Sequence, residues 1–224
     1  MEYREKKSVI AALFLVVALS SIFMVSHLSI PVSSVSPFSP IRVACVGDSI
    51  TEGTYYPSDL RDLLGVNYTI GNFGAGGSTV LFSSDKPYFY RSAFQKALAF
   101  HADIVVIMLG TNDANPKYYG QIDNFIRDYK TLINKFKVER PQIYLVTPPP
   151  IFDDDMGPNS ASLVEGVIPR IEQVADDLDL PIIDVYPLLL NHPEYFWDGV
   201  HPGKEGAQII ATAVYETLSN RTTY

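Results

Sequence analysis

The sequence is short of the residues that make disulfide scaffolds, thiolate metal sites and nucleic-acid-binding faces. It has one cysteine, Cys45. No intramolecular disulfide can form, and metal-type cysteine spacing is absent. Cys45 falls inside an apolar run, where a small buried side chain is its expected role. Basic residues are outnumbered: 17 Lys+Arg face 25 Asp+Glu, for a net charge of −8. No basic stripe or charge run offsets this. Sequence-independent nucleic-acid binding needs a basic face, so that class is excluded. No internal repeat is present.

Charge is also missing from Ser8 to Ile41. Within that span Val9 to Val25 is apolar with no polar face, and Arg4, Lys6 and Lys7 precede it. Such a stretch reads as an export segment over residues 1–30, either a signal anchor or a signal peptide. The exit, Val25-Ser26-His27-Leu28, lacks an Ala-x-Ala pattern, which favours an uncleaved, membrane-anchored form over a secreted one. The basic flank stays cytoplasmic and the remainder is exported. The mass of the mature amino terminus separates the two forms. Residues 31–40, rich in proline and serine, form a linker. The folded domain is then expected over 41–224, consistent with a chain of 224 residues carrying one domain and an appendage. Asn67-Tyr68-Thr69 and Asn220-Arg221-Thr222 fit the glycosylation pattern, which matters only in a host that glycosylates.

Short apolar segments alternate with segments of helical spacing through this domain. Val43 to Gly47 predicts a first strand, residues 57–64 a helix, and Tyr68 to Ile70 a second strand. Gly71 to Gly77 holds four glycines in seven residues and reads as a loop with unusual dihedrals or close to a ligand. A helix is expected over 88–100. Asp103 to Leu109 is apolar on both faces, as in a covered parallel sheet. A helix over 119–138, a strand over 142–146, a helix over 160–179 bent at Pro169, a strand over 181–185 and a last helix over 203–218 follow. The alternation calls for an α/β sandwich with a parallel sheet. Asp153-Asp154-Asp155 reads as a solvated loop, because the calcium-loop spacing is absent.

Ligands of such sheets sit at the carboxyl ends of the strands. Ser49 stands just past the first strand, in Gly47-Asp48-Ser49, and is a candidate nucleophile if a base is available. Near the other end stands Asp198-Gly199-Val200-His201-Pro202. One turn can hold the carboxylate and imidazole together. Asp198 then fixes the tautomer of His201, and the free ring nitrogen takes a serine proton. His192 is a competing base without an acidic partner at that spacing. His101 precedes a strand at the wrong sheet edge, and His27 lies in the apolar segment.

Gly-Asp-Ser, Asn72-x-Gly74, Gly110-Thr111-Asn112-Asp113 and Asp198-x-x-His201 occur in this order after successive strands. From about Val43 to Ala213 the chain resembles the SGNH hydrolase branch of the GDSL esterases and lipases; Thr147-Pro148-Pro149-Pro150 also looks like a family feature. The resemblance implies a three-layer α/β/α sandwich with a five-stranded parallel sheet of flavodoxin type. It implies Ser49 as nucleophile, His201 as base and acid, and Asp198 as its orienting carboxylate. The oxyanion hole is expected from the Ser49 and Gly74 amides and the Asn112 side chain. Asp48 and Asp113 are expected to position loops. Gly76 departs from the serine common in relatives. No metal or organic cofactor is implied. The substrate is expected to be an ester, with an O-acetylated glycan as the first reading and a lysophospholipid or short-chain lipid as the second. A non-catalytic glycan-binding partner is the third. Aromatic pairs and triplets at Tyr55-Tyr56, Tyr88-Phe89-Tyr90, Tyr118-Tyr119 and Tyr195-Phe196-Trp197 suit a sugar, or else cover the core.

Overall fold

A computed structural model describes residues 39–220, apart from Asp154 and Met156. The expected export segment, the linker up to residue 38 and the end of the Asn220 sequon lie outside the described residues. Among the described residues no helix is long and apolar enough to cross a membrane.

Five parallel strands form one sheet: β1 (Ile41–Gly47), β2 (Tyr68–Gly74), β3 (Ile104–Met108), β4 (Gln142–Val146) and β5 (Ile182–Ile183), in the order β2-β1-β3-β4-β5. Strand periodicity divides the core between the sheet's two faces. Ala44, Val46, Val105, Ile107, Ile143 and Leu145 pack on one side. Val43, Cys45, Ile104, Val106, Tyr144 and Val146 pack on the other. The first face is covered by α3 (Ser92–Ala99), α4 (Phe125–Phe136) and α5 (Ile168–Leu178) through Phe94, Tyr129, Leu132, Ile171 and Val174. The second is covered by α2 (Tyr56–Leu64) and α7 (Lys204–Ser219) through Tyr56, Leu60, Ile210 and Val214. This is the expected three-layer sandwich, and Cys45 is buried and unpaired.

Several boundaries differ from expectation. β2 extends through Gly74 because Ala44 to Gly47 pair in register with Gly71 to Gly74. Half of the glycine-rich segment is therefore strand. The expected helix over 88–100 is broken at Arg91, whose backbone is extended. Ahead of α4 the chain runs as 3-10 helix over Pro116–Asn124. Pro169 sits in the first turn of α5, where its missing N–H has no helical partner to lose, after a π turn over Leu163–Val167. β5 is two residues long, since Val185 already leads into the short helix α6 (Tyr186–Leu189).

The strand order reverses between β1 and β3, and the row Gly74, Gly47 and Met108 forms the sheet edge there. A short helix, α1 (Ser49–Gly53), rests on that edge. A Cβ on Gly47 would lie 2.1 Å from Thr51 Oγ1 and 2.7 Å from the Met108 carbonyl oxygen. Gly47→Ala should cost about 3 kcal/mol, at the upper end for overpacking. Urea unfolding of the variant checks this, and an unchanged midpoint would mean that α1 can shift without penalty.

Candidate active site

The turn after β1 is built to hold Ser49. Asp48 caps α1, its Oδ1 accepting the Ile50 N–H at 2.9 Å, and is fully buried. Ser49 follows as the first residue of the helix. Its backbone N–H has no acceptor among the described residues.

The loop carrying the histidine folds back on itself. Phe196 bridges to Pro202, and Trp197 N–H donates to the His201 carbonyl at 3.2 Å. Gly199 at its tip has φ +78 and lies so close to Asp153 that a Cβ would sit 2.3 Å from that residue's own Cβ. Phe152 N–H donates to the Gly199 carbonyl at 2.7 Å. The chain leaving β4 through buried Thr147 to Pro150 thus supports the histidine loop. Asp153 and Asp155 are exposed, as a solvated segment requires, while Asp154 lies outside the described residues.

Sequence positions 152 apart meet here. Ser49 Oγ lies 2.8 Å from His201 Nε2. His201 Nδ1 lies 2.6 Å from Asp198 Oδ2. Asp198 Oδ1 also accepts the backbone N–H of Val200 at 3.0 Å and of His201 at 2.7 Å. Burial would raise the Asp198 pKa, but these hydrogen bonds and the His201 charge outweigh it and hold the carboxyl below its ordinary value. An ionised Asp198 can orient the ring and stabilise its protonated form. His192 pairs at 2.9 Å with Glu194, an acidic partner that its spacing does not advertise, and stacks on Tyr195. His101 pairs with Glu139.

The oxyanion donors need one correction. Gly74 N–H is committed to Asn72 Oδ1 at 2.9 Å. Asn72 Nδ2 in turn donates to the Thr51 carbonyl at 2.8 Å, closing the carboxyl end of α1. Gly74 is glycine because a Cβ would meet Glu52 N at 2.1 Å. Along the following loop Ala75, Gly76 and Ser78 N–H donate to the Gly47 carbonyl, Glu52 Oε2 and the Ala75 carbonyl. Gly77 N–H, at φ +72, has no acceptor among the described residues. A run of four glycines cannot reveal from sequence which amide is open. Asn112 Nδ2 donates to the Ser78 carbonyl at 3.0 Å, and its other contact, Asp48 Oδ2, is distant at 3.3 Å. One amide proton is thus only loosely held, against the carboxylate of Asp48, the residue before Ser49.

Asp113 is fully buried and accepts the Val80 and Leu81 N–H groups, each at 2.9 Å, fixing the segment beyond the glycines. Burial pushes the Asp113 carboxyl up to about 7, and the nearby Asp48 charge adds to this against the two N–H donors. Burial likewise pushes Asp48 up to about 6, opposed by its backbone hydrogen bonds and the His201 charge. Both residues position loops, as expected. The aromatic clusters split: Tyr56, Tyr88, Tyr118 and Phe196 are buried, whereas Tyr55, Tyr90, Tyr119 and Trp197 are exposed. Trp197 is stacked over the His201 ring at 5.3 Å and 18°.

Residues 45–209 match the model of the GDSL-like lipase/acylhydrolase family, and the chain belongs to that family. It is 35% identical over 206 residues to an acetylxylan esterase of Xylanibacter ruminicola, covering 78% of this chain and 43% of that protein. The chain therefore spans less than half the length of this curated relative. Among solved structures it is similar to a carbohydrate acetylesterase from Sinorhizobium meliloti, with TM-score 0.65 and 20% identity over 80% of this chain and 99% of the other. An acetyl xylan esterase gives TM-score 0.64 and 25% identity over 80% of this chain and 100% of the other. A lipase/acylhydrolase from Enterococcus faecalis gives TM-score 0.66 and 22% identity over 81% and 96%.

Asp48 and Asp113 bind a proton more tightly in the folded protein than in the unfolded chain. Their contribution to stability is complete below the ordinary carboxylate range near about 4, and is lost as pH rises through about 6 and about 7. The melting temperature should fall from about pH 5 to about pH 8, and Asp113→Asn should flatten that slope even while lowering the midpoint. Scanning fluorimetry across this range checks it; an unaltered slope in the variant would place the titration elsewhere.

Proposed function

We propose that this protein is an exported carboxylic ester hydrolase that removes O-acetyl groups from glycans, with Ser49 as its nucleophile. The observation that carries the reading is the hydrogen-bonded relay from Ser49 through His201 to Asp198, at 2.8 and 2.6 Å. Ser49 Oγ attacks the ester carbonyl carbon as His201 Nε2 takes its proton. The carbonyl oxygen gains the electron pair and becomes an oxyanion, held by the Ser49 and Gly77 N–H groups and the Asn112 amide. His201 then gives its proton to the departing alcohol, and the acyl group remains on Ser49. Water, deprotonated by His201, attacks that acyl group; carboxylic acid leaves and Ser49 recovers its proton. Oxyanion donors fixed in advance are worth roughly 3–4 kcal/mol each, so the loops holding them matter as much as the relay.

The sugar on the alcohol side is supported by Trp197, 72% exposed, which presents a free aromatic face beside the base. Pyranose rings offer an apolar face and a hydroxyl rim that suit such a surface. The names of the Xylanibacter ruminicola and Sinorhizobium meliloti relatives agree with this. A long acyl chain would want an apolar groove at the serine. A groove of about 430 Å³ lined by Leu188, Tyr195, Ile209 and Ala213, with Glu205, Gln208, Thr212 and Glu216, lies along α6 and α7 and includes none of the relay residues.

Ser49→Ala and His201→Ala should each lower kcat at least about a thousandfold with p-nitrophenyl acetate, whereas His192→Ala should stay within about twofold of the parent. Circular dichroism verifies the fold of each variant. Near-parental turnover by His201→Ala would move the base to His192 and break the relay. Across p-nitrophenyl esters, kcat/KM should fall from acetate to octanoate, with hydrolysis of at least one O-acetylated xylo-oligosaccharide. In a fitting groove each methylene would add about 0.8 kcal/mol. A steady rise along the series, with acetylated sugars untouched, would instead make the protein a lysophospholipase or short-chain lipase.

A further inference from the structure

A polar cleft of about 390 Å³ is lined by Glu52, Asn72, Gly74, Tyr90, Arg91 and Lys96 among others. Its link to Ser49 runs through the helix that Ser49 opens. Glu52 lies on α1, and its Oε2 accepts the Gly76 N–H at 2.8 Å. A Cβ on Gly76 would sit 3.9 Å from the Ser49 Cβ. The first residues of α3, Ser92 and Ala93, line the same cleft, so the positive end of that helix faces it.

The chain carries a net −8, yet two cations, Arg91 and Lys96, line this one cleft. Their side chains have no ion-pair partner among the described residues. One carboxylate, Glu52, shares the cleft and is already engaged by Gly76. Unpaired cations in a concave polar site focus a positive potential on it and favour an anionic ligand. The cleft volume falls within the range of small-molecule sites.

We propose that this cleft binds the carboxylate of an acidic sugar within the glycan being deacetylated. The inference rests on the deacetylase reading and narrows its substrate to uronic-acid-bearing polysaccharide. Arg91 supplies a planar pair of donors matched to a carboxylate, and Lys96 supplies a second charge. The exposed Tyr90 ring stands at the rim as a surface for the same sugar. The acetyl ester on a neighbouring position is thereby placed at Ser49.

The test compares kcat/KM for an O-acetylated xylo-oligosaccharide with that for the same oligosaccharide bearing a glucuronic acid branch. At low salt the acidic substrate should be preferred about fivefold, on the scale of partly exposed ion pairs, and the preference should shrink as salt rises. In the Arg91→Gln/Lys96→Gln double variant the ratio should drop to about one, and in Lys96→Gln alone to about twofold. Lys135→Gln/Arg140→Gln removes the same charge from exposed positions just before β4, at the opposite end of the sheet, and should keep the parental ratio. A parental protein that hydrolyses both oligosaccharides equally would overturn the subsite alone. So would a preference that survives the double variant or disappears in the distant one. A protein that cleaves p-nitrophenyl acetate but neither oligosaccharide would overturn the glycan reading, and the subsite with it.

Discussion

The arrangement depends on a close approach between the sheet edge and one short helix. Gly47 and Gly74 end adjacent strands, and each lacks the Cβ that would collide with α1. That contact brings Ser49 over the switch between β1 and β3, where an open parallel sheet leaves a crevice. Asp48 closes the amino end of α1 and Asn72 its carboxyl end. A five-residue helix has little stability of its own. It is held by caps and by strand ends, and its position sets where Ser49 meets His201.

Buried carboxylates then organise the loops around it. Asp48, Asp113 and Asp128 all accept backbone N–H groups: Asp48 at α1, Asp113 at Val80 and Leu81, and Asp128 at Phe82. Loops that must present open donors cannot satisfy all their polar groups internally, so side chains from neighbouring elements do it for them. Ionised, each carboxylate offers acceptors on both oxygens, which suits it to tie down consecutive amides. Burial makes two of them unusually easy to protonate. The open amides of Ser49 and Gly77 fall at the proposed reaction centre.

Much of this was legible in the chain. The alternation of apolar strands with amphipathic helices predicts a covered parallel sheet, because residues buried on both faces leave a continuous apolar run. The Asp198 and His201 spacing predicts their pairing, because three residues of turn suffice to bring them together. The extent of β2 was not legible, since glycine has low strand preference and only the neighbouring β1 ladder holds Gly71 to Gly74 extended. The partner of His192 was missed because Glu194 reaches it through a local turn.

The sequence by itself determined the layers of the fold and the residue types available for chemistry, because periodicity and local spacing are properties of the chain. Tertiary structure alone decided that Ser49 and His201 meet across 152 positions. It also decided that the amide left open belongs to Gly77, because hydrogen-bond acceptors for the other loop amides come from Asn72, Glu52, Gly47 and Ala75. The same holds for Arg91 and Lys96. Their charge is written in the sequence, but whether an acid stands opposite depends on which surfaces folding brings together.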